Sequence, residues 1–280
     1  MLSELSITIL AENRVNNAKL VAEQGFSVFI QTENGNILFD TGQSDTFIKN
    51  ANQLGLDLKT VEKIILSHGH YDHTGGLPYF LNQVKPIEVI CHPSLMNKKF
   101  KVYPETKLDI GIPWEKFEVT KSGANFNFKS HPFEVLKDTY ISGEIPRHSS
   151  YEKIDEAYQY QAKESYIHDE IHDDLCLIFD TVKGLLILLG CGHAGPINSI
   201  KHAMRILNQD KIYAVLGGMH LIHSPLEKIN QIVHNLETLD PEFIVPLHCT
   251  GFQAINAMFN KFKDRVLLLN VGDVFKLKNQ

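Results

Sequence analysis

Four side chains that commonly bind metal ions lie within six positions of the segment 67–77. They are His68, His70, Asp72 and His73, and they directly follow the apolar run 64–66. Neutral imidazole and carboxylate oxygen are both good ligands for zinc, iron or manganese. Burying so many polar side chains without such a partner would cost several kcal/mol in desolvation. The segment therefore predicts a metal site, and the alternative is a solvated histidine-rich loop that happens to follow a strand.

The spacing of these residues divides them into two pairs. His68 and His70 are two positions apart, so that in an extended chain they point the same way. Asp72 and His73 are adjacent and diverge, so they can serve a second ion. One loop could thus supply two ligands to each of two neighbouring metals. The two glycines that follow let the backbone turn sharply out of the site.

Three later segments share one design, in which an apolar strand is followed by small residues and then a histidine. They are residues 188–193, 215–220 and 244–248, which end in His193, His220 and His248. In layered α/β folds such strand ends project onto a common sheet edge, where sites are usually built. We predict that His193 and His248 bind metal and that His220 is catalytic. For any one of them, the alternative is a hydrogen-bonded core histidine.

Apolar periodicity predicts an α/β chain in which each half is a run of strands followed by strand–helix units. Strands are predicted at 5–10, 26–32, 36–40, 64–66, 87–91, 117–120, 133–136, 139–142, 175–181, 185–189, 212–216 and 243–246, with 265–269 pairing with 274–277. Helices are predicted at 45–54, 77–84, 198–207, 226–239 and 252–262.

Residues 92–172 differ from the rest of the chain. They are richer in Lys, Pro, Tyr, Ser and Glu, and their periodicity is poor. We interpret them as a cap inserted into a single domain of residues 1–280, where substrate specificity would reside. The alternative is a surface loop. Four tyrosines of this segment are candidates for stacking on a flat ring, namely Tyr151, Tyr158, Tyr160 and Tyr166.

Composition excludes several classes of protein. The net charge of −6 gives no electrostatic footprint for nucleic acid. The longest apolar run, 185–189, is far too short to span a bilayer, and no signal peptide is visible. Four widely spaced cysteines suggest reduced, buried thiols. We expect a cytoplasmic protein with a small-molecule substrate, without nucleic-acid or membrane partners, which could form a homo-oligomer.

The order His-Gly-His-Tyr-Asp-His at 68–73 resembles the His-x-His-x-Asp-His signature of the metallo-β-lactamase superfamily. That resemblance implies a four-layer αββα sandwich with a metal site at one sheet edge, and usually a hydrolytic reaction. It implies two divalent metals, with zinc as the first expectation and iron or manganese as alternatives. The ligand sets that it implies are His68, His70 and His193 for one metal, and Asp72, His73 and His248 for the other.

The sequence departs from the superfamily pattern where a bridging acid is usual. After the strand at 185–189, residues 190–193 read Gly-Cys-Gly-His. Cys191 could bridge as a thiolate or lie beside the ligands, or one metal could be held firmly and the other weakly. Asp40, in Phe-Asp-Thr-Gly, matches a superfamily position that orients the ligand loop without binding metal. Its alternative is an aspartate that caps a turn.

A narrower resemblance rests on residues 190–195, 218–221, 248–251 and 142–147. Together they resemble a subgroup with the archaeal dihydropteroate-synthase-like enzymes of methanopterin biosynthesis and many uncharacterised metal-dependent hydrolases. In this light Glu144 could bind a polar ring such as a pterin, and Arg147 could bind a phosphate. Their alternative is a structural ion pair under the cap.

Three functions follow from these observations. The first is hydrolysis, in which a metal-activated water attacks an ester, lactone, amide or phosphoester and Asp72 steers the nucleophile or accepts its proton. The second is a transferase that joins a pterin-methyl diphosphate to an arylamine. The third is a sensor of a metal or ligand without catalysis. A complete set of ligands argues against the sensor.

Overall fold

Two β-sheets packed face to face form the centre of the computed structural model, which describes residues 1–84 and 86–277. In space the strands of the first sheet run β17-β1-β2-β3-β4-β5-β8, and those of the second run β16-β15-β14-β13-β10-β9. The first sheet consists of β1 (Leu5–Ala11), β2 (Ser27–Thr32), β3 (Gly35–Phe39), β4 (Lys63–Ile65), β5 (Ile87–Cys91), β8 (Ala124–Phe128) and β17 (Val274–Lys276). The second consists of β9 (Phe133–Leu136), β10 (Thr139–Ile141), β13 (Cys176–Thr181), β14 (Gly184–Leu189), β15 (Ile212–Gly218) and β16 (Phe243–Leu247).

A third, smaller sheet lies beside them and is called the cap sheet below. Its order is β12-β11-β6-β7. Its strands are β6 (Lys99–Tyr103), β7 (Thr106–Asp109), β11 (Tyr158–Ala162) and β12 (Ser165–His168). The α-helices are α1 (Thr46–Gln53), α2 (Tyr71–Thr74), α3 (Leu77–Leu81), α4 (Lys116–Lys121), α5 (Pro196–Leu207), α6 (Leu226–Leu239) and α7 (Phe252–Phe262). Short 3-10 turns occupy Leu58–Thr60, Pro93–Met96, His248–Thr250 and Lys263–Arg265.

Three apolar clusters separate four layers. The inner faces of the two main sheets bury residues such as Phe39 and Leu188 against each other. Helices α1, α3 and α4 cover the outer face of the first sheet with side chains such as Phe47. Helices α5, α6 and α7 cover the outer face of the second with side chains such as Ile200 and Met258. The predicted αββα sandwich is confirmed.

Parallel strands bring the candidate residues to one edge of the sandwich. Strands β14, β15 and β16 are parallel neighbours, as are β3, β4 and β5. Every residue of β14 is buried, because sheet neighbours flank it and layers cover both faces. That environment explains the unbroken apolar run at 185–189. The carboxyl ends of these strands carry the segments that were singled out from the sequence.

The structure narrows the predicted cap. Within residues 92–172, β8 pairs with β5 in the first sheet, and β9 and β10 belong to the second. Val135 and Ile141 pack in the central core, so this part of the segment cannot be an insertion outside the sandwich. Only the cap sheet and its connecting loops fit the prediction. Lys85 and residues 278–280 of the predicted single domain lie outside the described residues.

Two predicted elements are wrong. Residues 117–120 belong to helix α4, in which Val119 is buried while Phe117 is 77% exposed. The alternation of apolar residues there resembled a strand, but only one of them faces the core. Residues 265–269 form no strand, apart from an isolated bridge between Val266 and Ile244. The strand predicted at 274–277 is present as β17, but it pairs with β1.

None of the helices in the described residues is long and apolar enough to cross a membrane.

Candidate metal centre

The signature loop leaves β4 at the sheet edge and turns into the one-turn helix α2. His70 is the N-cap residue of that helix, and Asp72 and His73 lie within it. The loop is fixed by donors and acceptors from several directions. The Gly69 N–H donates to Asp173 Oδ2 at 2.7 Å, and the Trp114 indole N–H donates to the Thr74 carbonyl at 2.7 Å.

One group of three histidines, called the first ligand group below, brings its ring nitrogens together. One ring nitrogen each of His68, His70 and His193 lies within 4.8 Å of the others, and all three side chains are buried. His70 Nε2 and both ring nitrogens of His193 are buried without a hydrogen-bond partner among the described residues. Burial lowers the pKa of all three imidazoles well below the ordinary value, and neighbouring cationic groups lower it further. Neutral imidazoles with unpartnered nitrogens fit a divalent ion.

A second ligand group consists of Asp72, His73 and His248, whose ligand atoms also lie within 4.8 Å of one another. His73 Nε2 lies 3.3 Å from His248 Nε2, and Asp72 Oδ2 lies 3.6 Å from the same atom. Burial alone would lower the pKa of His73, but the negative charges of Asp40 and Asp72 raise it to about 9. This group therefore carries a carboxylate that the first group lacks.

Asp40, which the sequence predicts to orient the ligand loop, contacts Ser67 and His73 of that loop. Its carboxylate accepts hydrogen bonds from the Ser67 N–H and hydroxyl at 2.7 Å each, and lies 2.7 Å from His73 Nδ1. His73 Nε2 is thereby left facing the second ligand group. A Cβ at Gly190 would lie 2.2 Å from Ser67 Oγ, so only glycine lets the end of β14 approach this network.

Cys191 lies between the two ligand groups, where the superfamily pattern usually has an acid. It forms candidate ligand sets with His68 and His73, and also with His248 and Cys249. Its sulfur lies 3.0 Å from Cys249 Sγ, and neither cysteine forms a disulfide. The sequence pointed to Cys191 but missed Cys249, whose only signal was its position next to His248.

His220 lies at the edge of the first ligand group. Its backbone is left-handed, with φ of 47°, as are those of Asp40 and His248. Such strained conformations cluster at functional sites. The ring centroid of His220 lies 4.1 Å from that of His193, and its Nε2 lies 3.1 Å from the Tyr158 hydroxyl. Tyr158 belongs to β11 and stacks on His70, so the cap sheet reaches the centre through this residue.

Comparison with known proteins agrees with this architecture. A family model described as the metallo-beta-lactamase superfamily matches residues 20–148. The 7,8-dihydropterin-6-methyl-4-(beta-D-ribofuranosyl)-aminobenzene-5'-phosphate synthase of Methanocaldococcus jannaschii is 31% identical over 97% of this chain and 96% of its own length. The chain belongs to the metallo-beta-lactamase superfamily.

Two further proteins match nearly the whole length of this chain. An uncharacterized protein of the same archaeon is 34% identical over 90% of this chain and 93% of its own. The crystal structure of Tm1679, a metal-dependent hydrolase of the beta-lactamase superfamily, has a TM-score of 0.85 at 28% identity. It covers 98% of this chain and 100% of its own. The chain is thus an enzyme of the superfamily, and the resemblance to the archaeal subgroup is confirmed.

The two residues predicted to bind substrate, Glu144 and Arg147, each contact a histidine. Glu144 Oε1 is 3.0 Å from His92 Nε2. Neither Glu144 nor Arg147 lines the cavity that His70, His193 and His248 border. Arg147 donates instead to backbone carbonyls of His193, at 3.2 Å, and of Ile171, at 3.0 Å. Through these bonds from its two terminal nitrogens, Arg147 holds the His193 loop in place.

The structure reveals a buried support that sequence reasoning missed in this superfamily member. Lys99 is 1% exposed, and its Nζ lies 2.8 Å from carboxylate oxygens of both Asp169 and Asp173. Asp173 also accepts from Gly69, between His68 and His70. No local pattern indicates this triad, because its members lie 70 or more positions from Lys99.

A cavity of about 350 Å³ opens above both ligand groups. Its lining includes His70, Asp72, Tyr158, His193, His220 and His248. Four of the six predicted ligands, His70, Asp72, His193 and His248, therefore face a space that is large enough for a small-molecule substrate.

Proposed function

We propose that this enzyme is a metal-dependent hydrolase of a small-molecule ester, lactone or phosphoester. Two divalent ions, with zinc as the first candidate, would be held by the first and second ligand groups. The observation that carries the proposal is the set of unpartnered ring nitrogens on His70 and His193 beside the carboxylate of Asp72. Histidine and carboxylate ligands facing an open cavity are typical of catalytic zinc sites.

The side chains around the cavity divide the chemical work. Bound ions would polarise a substrate oxygen and lower the pKa of a coordinated water toward neutrality. Asp72 is the carboxylate of the second ligand group and lines the cavity, so it orients the nucleophile or accepts its proton. Asp40 and Asn13 hold the Nδ1 atoms of His73 and His248, at 2.7 and 2.8 Å.

Tyr158 and His220 form a pair that can hold a proton on the opposite side of the cavity. Burial raises the pKa of the Tyr158 phenol, so it remains protonated at neutral pH, and its oxygen accepts a hydrogen bond from His220 in the tautomer that carries the ring proton on Nε2. His220 Nδ1 in turn lies 3.4 Å from Cys191 Sγ. In this arrangement the Tyr158 hydroxyl can donate to a departing oxygen, and His220 keeps that hydroxyl oriented.

The second candidate function is a transferase that joins a pterin-methyl diphosphate to an arylamine. The observation that favours it is the near full-length relative from Methanocaldococcus jannaschii, whose name describes the synthesis of a dihydropterin-methyl-aminobenzene phosphate. The same ligand groups would stabilise a departing diphosphate, so their geometry serves both reactions.

Metal analysis of two variants tests the site. His70→Ala should lower bound zinc and abolish turnover, whereas His234→Ala should change neither, because His234 is an exposed residue of α6. Full zinc content and turnover in His70→Ala would overturn the assignment.

A substrate screen separates the two functions. The panel consists of a phosphodiester, a lactone, and a pterin-methyl diphosphate supplied with an arylamine. Turnover of the phosphodiester or lactone supports the hydrolase. If only the pterin substrate reacts, and only with the arylamine present, the hydrolase proposal fails and the transferase replaces it.

A further inference from the structure

A second cavity of about 330 Å³ adjoins the metal centre on the side of helices α5 and α6. It shares His193, His220 and Tyr158 with the cavity above the ligand groups. A substrate whose reacting atom lies at the metal centre can therefore extend into this second cavity. Neither of the two functions considered above assigns it a ligand.

Three lysines line this cavity without an ion-pair partner. Among the described residues, no carboxylate oxygen lies within 4 Å of the ammonium groups of Lys101, Lys153 or Lys228. Lys99 lies in the same strand as Lys101, but its ammonium is paired with two aspartates. Burial lowers the pKa of Lys228, although the charge of Glu152 acts in the opposite direction. The charge of this partly buried ammonium is therefore not fully compensated by the carboxylates of the described residues.

The two acidic side chains that line the cavity accept hydrogen bonds from backbone N–H groups. Glu152 accepts hydrogen bonds from the N–H groups of Ile197, at 2.8 Å, and Asn198, at 2.9 Å. Its charge thus lies against the N-terminus of α5, where the helix dipole favours it. Asp155 Oδ1 accepts from the Ala157 N–H at 2.9 Å. The cavity therefore keeps a positive character despite its acidic members.

We propose that this cavity binds a phosphoryl group of the substrate. A phosphate monoester carries close to two negative charges and three strong acceptor oxygens. Three separate ammonium groups can pair with the charged oxygens of a phosphate. A ligand with a single carboxylate would pair with only one of these ammonium groups. In this proposal the phosphate is bound by lysines from β6, the loop before β11, and α6, whereas the sequence suggested Arg147 for that role.

Naming the bound group as part of a substrate rests on the proposed function, but the affinity of the cavity for phosphate does not. The test uses inorganic phosphate and zinc-loaded protein in isothermal titration calorimetry. Lys228→Met and Lys153→Met each remove an ammonium and keep most of the side-chain stem. Lys59→Met is the matched control, because Lys59 is exposed in the 3-10 turn Leu58–Thr60 and does not line the cavity.

We expect phosphate to bind about tenfold more weakly to Lys228→Met, and more weakly to Lys153→Met, at unchanged zinc content. Lys59→Met should bind like wild type. Any phosphate held by zinc alone contributes equally to all four proteins and cancels. Equal binding by all four, or no binding by wild type, overturns the proposal.

Lys153 is exposed, so its variant keeps the test valid if Lys228→Met fails to fold. If the protein binds no zinc and turns over no substrate, but Lys228→Met still binds phosphate more weakly than wild type, only the proposed function is overturned. Lysine-independent phosphate binding together with metal-dependent turnover would sink the phosphoryl cavity alone.

Discussion

The two ligand groups differ in what the protein itself supplies. In the first, His68, His70 and His193 are neutral, and three of their ring nitrogens have no partner. In the second, His73 and His248 are each held at Nδ1 by another side chain, and Asp72 adds a negative charge.

The difference indicates how each group would depend on a metal. Buried nitrogens without partners are costly, so an ion in the first group would satisfy atoms that the fold leaves unpaired. The second group is already satisfied by protein contacts, which orient its ligands before an ion arrives. Loss of metal should therefore affect the first group most, and loss of an orienting residue should affect the second group most.

Replacing His193 should produce the largest effect. His193→Ala removes the ligand with two unpartnered nitrogens, so we expect metal in the first group to be lost and activity to fall by about 10³-fold, roughly 4 kcal/mol. The metal-free variant should unfold at the same temperature as metal-free wild type or higher, since a buried unsatisfied ring disappears. His202→Ala, on α5, is the control for metal content and activity. Retention of both metals by His193→Ala would contradict the comparison.

Removal of the metals by a chelator should come next. An ion that binds only the folded state at about 1,000 times its Kd stabilises that state by roughly 4 kcal/mol. For a chain of this size that corresponds to a fall in Tm of roughly 10 °C. Calorimetric scans with and without chelator measure it. The same treatment should lower the Tm of His193→Ala much less, and an equal fall in both proteins would show that the second group carries the stabilisation.

Asp40→Asn should produce an intermediate effect that is larger in the second group than in the first. The substitution keeps the size of the side chain, and asparagine tolerates the left-handed backbone with φ of 57°. Without the carboxylate, His73 loses a charged partner, whereas His68 keeps the Ser67 hydroxyl that lies 2.9 Å from its Nδ1. Affinity for the second ion should therefore fall about 10–100-fold, and affinity for the first should fall less. Competition with a fluorescent chelator resolves the two ions. Asp45→Asn is the control, since Asp45 pairs only with Lys49 at the surface. Equal weakening of both ions would mean that the groups are not independent.

The fold and the grouping of most candidate ligands at one sheet edge could be predicted because their signals are local. The apolar run before each candidate histidine marked strand ends, and parallel strands carried those ends to one edge. The site features that the sequence missed depend on contacts across the fold. Cys249 meets Cys191 from 58 positions away, and Tyr158 meets His220 from 62.

The same reasoning applies to the two residues that were predicted to bind substrate. Glu144 and Arg147 have the right chemistry for a polar ring and a phosphate, but residue type does not reveal where a side chain points. The carbonyls of His193 and Ile171 take the guanidinium N–H groups of Arg147, and only the folded chain brings them within reach. Sequence reasoning missed Lys228. The sequence of an amphipathic helix does not distinguish a lysine that lines a cavity from a lysine in solvent.

Asn13→Ala should produce the smallest effect and define how much orientation a neutral partner provides. Asn13 Oδ1 accepts from His248 Nδ1 at 2.8 Å, but it is exposed, whereas Asp40 is buried and charged. A neutral hydrogen bond contributes about 1 kcal/mol, so affinity for the second ion should fall about fivefold. His248 also keeps its backbone bond to Glu12, which limits its movement. The chelator competition used for Asp40→Asn measures the fall. An effect as large as that of Asp40→Asn would mean that position, and not charge, makes the orienting residues matter.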